Sequence, residues 1–152
     1  MTPRPFRLLH ADIHRKNMIL TDRNHVTFLD WELALWGDPV YDLADHLHKT
    51  APTAADRTVI TTAWHRAAPP ECREQWHEAL DYYLAYEAVK SAIVDTVRWG
   101  RRIAAAQNDQ ARATLSRELA SKLTAAHPHW PAESASPPTP DEVQAAVDRR
   151  LP

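Results

Sequence analysis

The hydrophobic pattern of the chain changes its period near Trp36, and this change constrains the fold more than any other feature. Before it, short apolar or β-branched runs such as residues 18–20 (MIL) and 26–29 (VTFL) alternate with polar connections, which is typical of strands. After it, apolar residues recur at helical spacing, first at Val40, Leu43, Ala44 and Leu47. The pattern predicts an α+β fold that is mostly helical, with a short β-hairpin ahead of a helical subdomain.

The predicted hairpin places polar side chains together at its open end. Residues 21–25 (TDRNH) form the connection, and a turn centred between Arg23 and Asn24 pairs positions whose numbers sum to 47. Asn17 would then lie opposite Asp30, with Cα atoms about 4.5–5.5 Å apart. Their amide and carboxylate oxygens are hard ligands of the kind that Mg²⁺ accepts. Asp12 lies in the preceding loop and would reach the same place, as phosphoryl transfer requires.

The rest of the chain predicts helices and one linker. Asp38 and Pro39 are a helix-start signal, and Thr53 with Asp56 resembles a capping box. Helical patterns extend to about residue 66 and then over 71–107 and 109–126. The organisation predicted is a domain over residues 1–126 (a catalytic and metal-binding segment at 6–36 and a helical subdomain at 38–126), a Pro-rich linker at 127–140 and a C-terminal helix at 141–150.

Three short motifs follow one another between residues 10 and 44. Residues 10–17 (HADIHRKN) match H-x-D-x-x-x-x-N, the catalytic loop of protein kinases and of aminoglycoside or choline kinases. Residues 28–32 (FLDWE) resemble the (I/L)-D-(W/F)-E signature of the small-molecule kinases, and residues 37–44 (GDPVYDLA) resemble their G-D-P-x-x-D-L-A segment. The chain thus resembles the aminoglycoside phosphotransferase and choline kinase-like family, over the C-terminal lobe of its protein-kinase-like fold.

The resemblance implies an ATP- and Mg²⁺-dependent phosphotransferase that transfers the γ-phosphate to a hydroxyl of a small, amine-bearing molecule. By matched position, Asp12 would be the catalytic base or hydroxyl-orienting group, and Asn17 and Asp30 would hold Mg²⁺. Which small molecule is phosphorylated does not follow from the motifs.

Other residues of the motifs have supporting roles by the same resemblance. His10 would support the loop by packing or hydrogen bonding, and Asp42 is expected to anchor the segment through hydrogen bonds. His14 stands where protein kinases have a lysine that touches the transferred phosphate, and Glu32 would assist the metal or the substrate amine. Acidic residues of the helices, among them Glu87, would either line an anionic pocket or form solvated faces, the second being the simpler expectation.

The sequence lacks the parts that bind the nucleotide in this family. It has only two glycines, Gly37 and Gly100, whereas phosphate-binding loops need several within about eight residues. Because nine residues precede His10, we expect an N-lobe to be missing and the chain alone to be weakly active or inactive. We also expect an exposed apolar strip near the hairpin, covered by a separate N-lobe or by self-association.

Composition excludes several other classes of protein. The net charge of −2 gives no reason to expect nucleic acid as a partner. No apolar run approaches the roughly 20 residues that span a bilayer, so no membrane association is expected. The single cysteine, Cys72, forms no internal disulfide, and a reducing cytoplasm is the expected location.

Two alternatives remain open from the sequence. The first is a non-catalytic remnant or truncated gene product that keeps the motifs without the activity. The second, disfavoured by the spacing of its histidines on a helix, is a zinc-dependent hydrolase whose ligands would come from His10, Asp12, His14, Asp45, His46 and His48.

Overall fold

The computed structural model of the chain describes residues 4–21, 25–131, 133 and 135–150. Four strands come first: β1 (Arg7–Leu9), β2 (Met18–Thr21), β3 (His25–Phe28) and β4 (Leu35–Gly37). Five α-helices follow: α1 (Val40–Thr50), α2 (Ala54–Ala67), α3 (Trp76–Ala104), α4 (Asp109–Ala126) and α5 (Pro140–Arg150). Short 3-10 turns lie at Arg15–Asn17, Trp31–Leu33, Pro70–Cys72 and His127–His129. The predicted α+β, mostly helical fold class is confirmed.

The strands form two antiparallel pairs. β1 pairs with β4, with Leu9 opposite Leu35. The two ends of the intervening segment, residues 10–34, therefore lie close together. β2 and β3 form the predicted hairpin, but Met18 lies opposite Phe28, and the paired positions sum to 46. The predicted register of 47 is therefore wrong by one residue. The connection between the two strands, residues 22–24, lies outside the described residues.

Helix starts follow the capping signals of the sequence. The Val40 N–H donates to Asp38 Oδ1 at 3.0 Å, so Asp38 caps α1 as predicted. The Asp56 N–H donates to Thr53 Oγ1 at 3.2 Å at the start of α2, which confirms that capping signal. Asn108 caps α4 in the same way, since the Ala111 N–H donates to its Oδ1 at 2.9 Å.

The contacts of the chain divide it into two compact units, Met1–Glu87 and Ala88–Pro152, and the division falls within α3. The core of unit 1 contains the predicted apolar stripe of α1 together with side chains from the start of α3: Val40, Leu43, Ala44, Leu47, Trp76, Ala79 and Leu80. The core of unit 2 comes from α3, α4 and α5: Ala92, Ile103, Leu119, Ala120, Leu123, Ala126, Val143 and Val147. The domain boundary predicted at residue 126 stays a prediction.

Large apolar side chains are exposed along the strand segment of unit 1. We call this set the apolar surface; its members are Phe6, Leu8, Ile19, Leu20, Val26, Phe28, Leu29, Trp31, Leu33, Leu35 and Trp36. Leu20 and Trp36 are 71% and 66% exposed. An exposed apolar strip near the hairpin was the expectation from the sequence, and these side chains are individually exposed there. Within the described residues, no helix combines the length and apolar character that crossing a bilayer demands.

Candidate active site

Two carboxylates of α1 hold the backbone of the loop that contains Asp12. Asp42 accepts hydrogen bonds from the N–H groups of His10, at 2.9 Å, and of Ala11, at 2.8 Å. Asp45, one turn further along α1, accepts from the Ile13 N–H at 2.8 Å. The expectation that Asp42 anchors the segment is confirmed, whereas the equivalent role of Asp45 was not predicted. Three backbone N–H groups of this loop are thus tied to a helix whose apolar stripe forms part of the core of unit 1.

The Asp12 carboxylate is bonded through both of its oxygens. Oδ1 lies 2.5 Å from Lys49 Nζ, and Oδ2 accepts from Asn17 Nδ2 at 2.9 Å. His14 Nε2 is 3.5 Å from Oδ2. The structure therefore brings together Asp12, Asn17 and His14 as predicted site residues, and adds Lys49. No motif in the sequence singles out Lys49, because its position relative to Asp12 depends on the packing of α1 against the loop.

The surroundings of Asp12 favour its ionised form. Burial raises the pKa of the Asp12 carboxyl, whereas the hydrogen bond and charge of Lys49 lower it. His14 and Asn17 add to the lowering, so the pKa lies below its ordinary value. At neutral pH Asp12 is a carboxylate, the form that accepts a hydrogen bond from a hydroxyl group.

The pKa of Asp45 is raised rather than lowered. Its side chain is fully buried, and burial raises the pKa of its carboxyl although Lys49 and the Ile13 N–H act against this effect. The nearby charge of Glu87 raises it as well. Glu87 is itself fully buried, so the expectation of a solvated face is wrong for this residue. Burial and a hydrogen bond to Glu87 raise the pKa of Tyr41 far above its ordinary value.

His10 is buried and fixed by a hydrogen bond to the following hairpin. Its Nε2 donates to the Leu29 carbonyl at 2.7 Å, because a carbonyl oxygen only accepts. The imidazole packs on the rings of Phe28 and Trp31, with centroids 5.9 and 4.7 Å away. These contacts tie the residue before Asp30 to the loop that contains Asp12, and they suit a supporting rather than a reacting group.

Asp30 follows the hairpin in a left-handed backbone conformation, with φ of 63° and ψ of 63°. The Leu29 N–H donates to the Asn17 carbonyl at 2.9 Å, so Leu29 rather than Asp30 is the partner of Asn17. The direct opposition of Asn17 and Asp30 expected from the sequence is therefore wrong, although the two residues remain close in register. The Trp31 indole N–H donates to the Phe28 carbonyl at 3.1 Å and closes the turn around Asp30.

The oxygen atoms of Asn17 and Asp30 fit a hard divalent cation. Asn17 donates through Nδ2 to Asp12, and its amide oxygen has no hydrogen-bond donor within the described part of the chain. The exposed Asp30 carboxylate likewise forms no hydrogen bond or ion pair with another described residue. Carboxylate and carbonyl oxygens are the ligands that Mg²⁺ and similar cations prefer. Glu32 is exposed in the adjacent 3-10 turn and forms no hydrogen bond or ion pair with another described residue.

The histidines do not form the cluster that the zinc alternative requires. His10 uses Nε2 to bind the Leu29 carbonyl, and His46 Nδ1 lies 3.3 Å from the Ile13 carbonyl. Among the described residues, no group of three or more His, Cys, Asp or Glu side chains is arranged to hold a metal ion. The zinc hydrolase alternative therefore has no site in this part of the chain.

Comparison with known proteins agrees with the motifs. The sequence model described as "Phosphotransferase enzyme family" matches residues 1–89, which is more than half of the chain and contains all three motifs. No curated protein and no solved structure matches the chain. The matched span carries the loop of Asp12, the hairpin that leads to Asp30 and the helix α1 that anchors the loop. The chain therefore belongs to the phosphotransferase enzyme family.

Proposed function

We propose that the chain carries the catalytic segment of an ATP- and Mg²⁺-dependent phosphotransferase of the aminoglycoside phosphotransferase type. Its acceptor would be a hydroxyl group of a small, amine-bearing molecule. One observation supports this more than any other: an ionised Asp12, held through both oxygens, lies in a loop tied to α1 and is bonded to Asn17, whose amide oxygen accepts no hydrogen bond from the described residues. Phosphotransferases of this family generally use ATP and Mg²⁺.

Asp12 would orient the acceptor hydroxyl and receive its proton. The hydroxyl oxygen forms a bond to the γ-phosphorus while the bond from that phosphorus to the β–γ bridging oxygen breaks, and ADP leaves with the bonding electron pair. The proton passes to Asp12 and then to water. A carboxylate with a lowered pKa is a weak base, which suits this reaction because positioning contributes more than proton removal when the transition state is loose.

Asn17 and Asp30 would hold Mg²⁺, which when bound supplies positive charge at the phosphate oxygens. His10 would keep the turn before Asp30 in place through its bond to the Leu29 carbonyl. His14, at 3.5 Å from Asp12, would act on the base rather than on the phosphate. Glu32 would assist in binding the cation or the substrate amine.

The apolar surface supports a further part of the proposal. Contiguous exposed apolar patches mark interaction sites, and the sequence has no glycine-rich loop of its own to bind the nucleotide. We propose that this chain forms the C-terminal lobe of a kinase-like fold and that a nucleotide-binding lobe covers the apolar surface. Self-association over the same surface is the competing arrangement. Analytical ultracentrifugation separates the two, because a stable dimer would show that a second copy covers the surface.

Binding of Mg²⁺ and ATP tests the proposed site directly. Trp31 and Trp36 are exposed close to Asp30 in the sequence, so intrinsic fluorescence can report binding. We expect weak binding of MgATP by the wild-type chain and none by Asp30→Ala. Asp81→Ala, which removes an exposed aspartate from α3, is the matched control and should bind as wild type does.

The remnant alternative predicts a different result. If the wild-type chain binds neither Mg²⁺ nor ATP at millimolar concentration, the chain keeps the motifs without the function. For the role of Asp12, a nucleotide-binding lobe from a related enzyme can be fused ahead of residue 4 and phosphotransfer measured. Turnover that survives Asp12→Ala in an active fusion would refute the assignment of the base.

A further inference from the structure

Lys49 contacts the proposed base from outside its loop. It lies in the last turn of α1, four residues after Asp45, and its Nζ is 2.7 Å from Asp45 Oδ1 and 2.5 Å from Asp12 Oδ1. The lysine side chain is 25% exposed, whereas the side chain of Asp45 is 0% exposed. The ammonium group thus bridges a buried carboxylate of the helix and the carboxylate that is proposed to meet the substrate.

Asp45 binds Lys49 and also holds the loop that contains Asp12. Its Oδ2 accepts from the Ile13 N–H at 2.8 Å, so the carboxylate that holds Lys49 also holds the loop backbone directly after Asp12. A lysine paired with one exposed carboxylate moves freely and contributes little. Here the ammonium lies between two carboxylates, one of which is itself bonded to the Ile13 N–H beside Asp12, and this restricts where its charge can be.

The opposite side of the Asp12 carboxylate is held by Asn17 Nδ2, at 2.9 Å from Oδ2. With Lys49 on Oδ1, rotation of the carboxylate breaks at least one charge-assisted hydrogen bond. We propose that Lys49, braced by Asp45, is a positioning residue that fixes the orientation of the Asp12 carboxylate. The catalytic consequence rests on the proposed function, but the positioning itself is a property of the chain alone.

The side-chain amide of Asn17 reports the position of Asp12 without any need for activity. Its NMR signals depend on the hydrogen bond from Nδ2 to Asp12, and Asp12→Ala supplies the reference for its loss. We expect Lys49→Met to move the Asn17 signals toward that reference, and Lys49→Arg to leave them near the wild-type position. Lys49→Ala serves as a second variant should Lys49→Met fold poorly, and the Ile13 amide signal reports whether the loop is intact.

Lys122→Met is the matched control, since Lys122 pairs with Asp95 at 2.9 Å in unit 2 and its loss removes the same charge from another Lys–Asp pair. Its Asn17 signals should coincide with those of wild type. Asn17 signals that stay at the wild-type position in both Lys49→Met and Lys49→Ala would overturn the proposal, whatever the outcome for phosphotransfer. If the Asn17 signals move but the chain never binds MgATP, the positioning role of Lys49 stands and only the proposed function is contradicted.

In an active fusion the two kinetic constants separate positioning from binding. We expect Lys49→Met to lower kcat about 10- to 100-fold, as a small displacement of a reacting group does, with the KM for MgATP unchanged and with partial rescue in Lys49→Arg. A lower affinity for MgATP with unchanged kcat would show that Lys49 binds the nucleotide instead and would overturn the positioning role.

Discussion

The carboxylate of Asp42 accepts a hydrogen bond from the backbone N–H of His10 at 2.9 Å, across 32 residues of sequence. Its other oxygen accepts from the Ala11 N–H at 2.8 Å. The third motif of the chain, residues 37–44, therefore contains the anchor of the first, residues 10–17. This contact explains in physical terms why the two motifs occur together: the loop has buried N–H groups that need an acceptor, and α1 supplies it.

Asp42→Ala should destabilise the chain markedly. It leaves the N–H groups of His10 and Ala11 without their acceptor, and an unsatisfied buried donor costs roughly 1–3 kcal/mol. We expect the free energy of unfolding to fall by about 2–4 kcal/mol in urea denaturation, on the basis of two such donors. Asp81→Ala on the exposed face of α3 is the control and should change it by less than about 0.5 kcal/mol. Equal effects of the two substitutions would contradict the anchor.

Ala51→Gly should stabilise α1. Ala51 is exposed and ends the helix with φ of 43° and ψ of 56°, a left-handed conformation in which alanine is strained and glycine is not. We expect a gain of about 1 kcal/mol in the free energy of unfolding. Ala63→Gly makes the same chemical change at an exposed site inside α2 and should lose about 1 kcal/mol. If both substitutions lower the free energy of unfolding, the backbone of Ala51 is not strained.

Asn17→Asp should make the stability of the chain depend on Mg²⁺. The substitution sets a carboxylate in place of the amide that donates to Asp12 at 2.9 Å, so two negative charges face each other. We expect a loss of roughly 1–3 kcal/mol without the metal, and a larger rise of Tm on adding Mg²⁺ than in wild type. Asn108→Asp, at the start of α4, keeps an acceptor for the Ala111 N–H and should show neither effect. If adding Mg²⁺ does not change the Tm of Asn17→Asp, the result would count against the metal site.

The capping box at the start of α5 should open in acid. Glu142 Oε2 accepts from the Thr139 N–H at 2.8 Å and from its hydroxyl at 2.9 Å, and these bonds lower the pKa of the Glu142 carboxyl below its ordinary value. Because the folded pKa is lowered, the stabilisation is complete above the ordinary value and is lost as the pH falls through the folded one. The Thr139 amide NMR signal should titrate accordingly, and in Glu142→Gln it should not. A titration that persists in Glu142→Gln would assign the change to another group.

Features with a short range in sequence were predictable. The caps at Asp38 and Thr53 and the apolar stripe of α1 depend on residues within about four positions of one another, so a single stretch of sequence contains both partners. The three motifs likewise named Asp12, Asn17 and Asp30 as the residues of interest, and the family match covers them.

The register of the hairpin could not be predicted from the local sequence. A turn of two or of three residues is compatible with the same polar connection, and the choice moves every pair by one position. The structure selects Met18 opposite Phe28, and the Leu29 N–H binds the Asn17 carbonyl. Asp30 consequently follows the last pair in a left-handed conformation instead of facing Asn17.

By itself, the sequence determined the family and the fold class and named the residues of the candidate site, because motifs and helical periods involve residues at neighbouring positions. Only the tertiary structure decided what surrounds Asp12. Lys49 is 37 residues away from it in sequence, and no spacing rule connects them. They meet because β1 pairs with β4 and α1 packs beside the loop, with Asp42 and Asp45 satisfying its buried N–H groups. The environment of the proposed base is therefore a product of long-range hydrogen bonding, which local sequence patterns do not record.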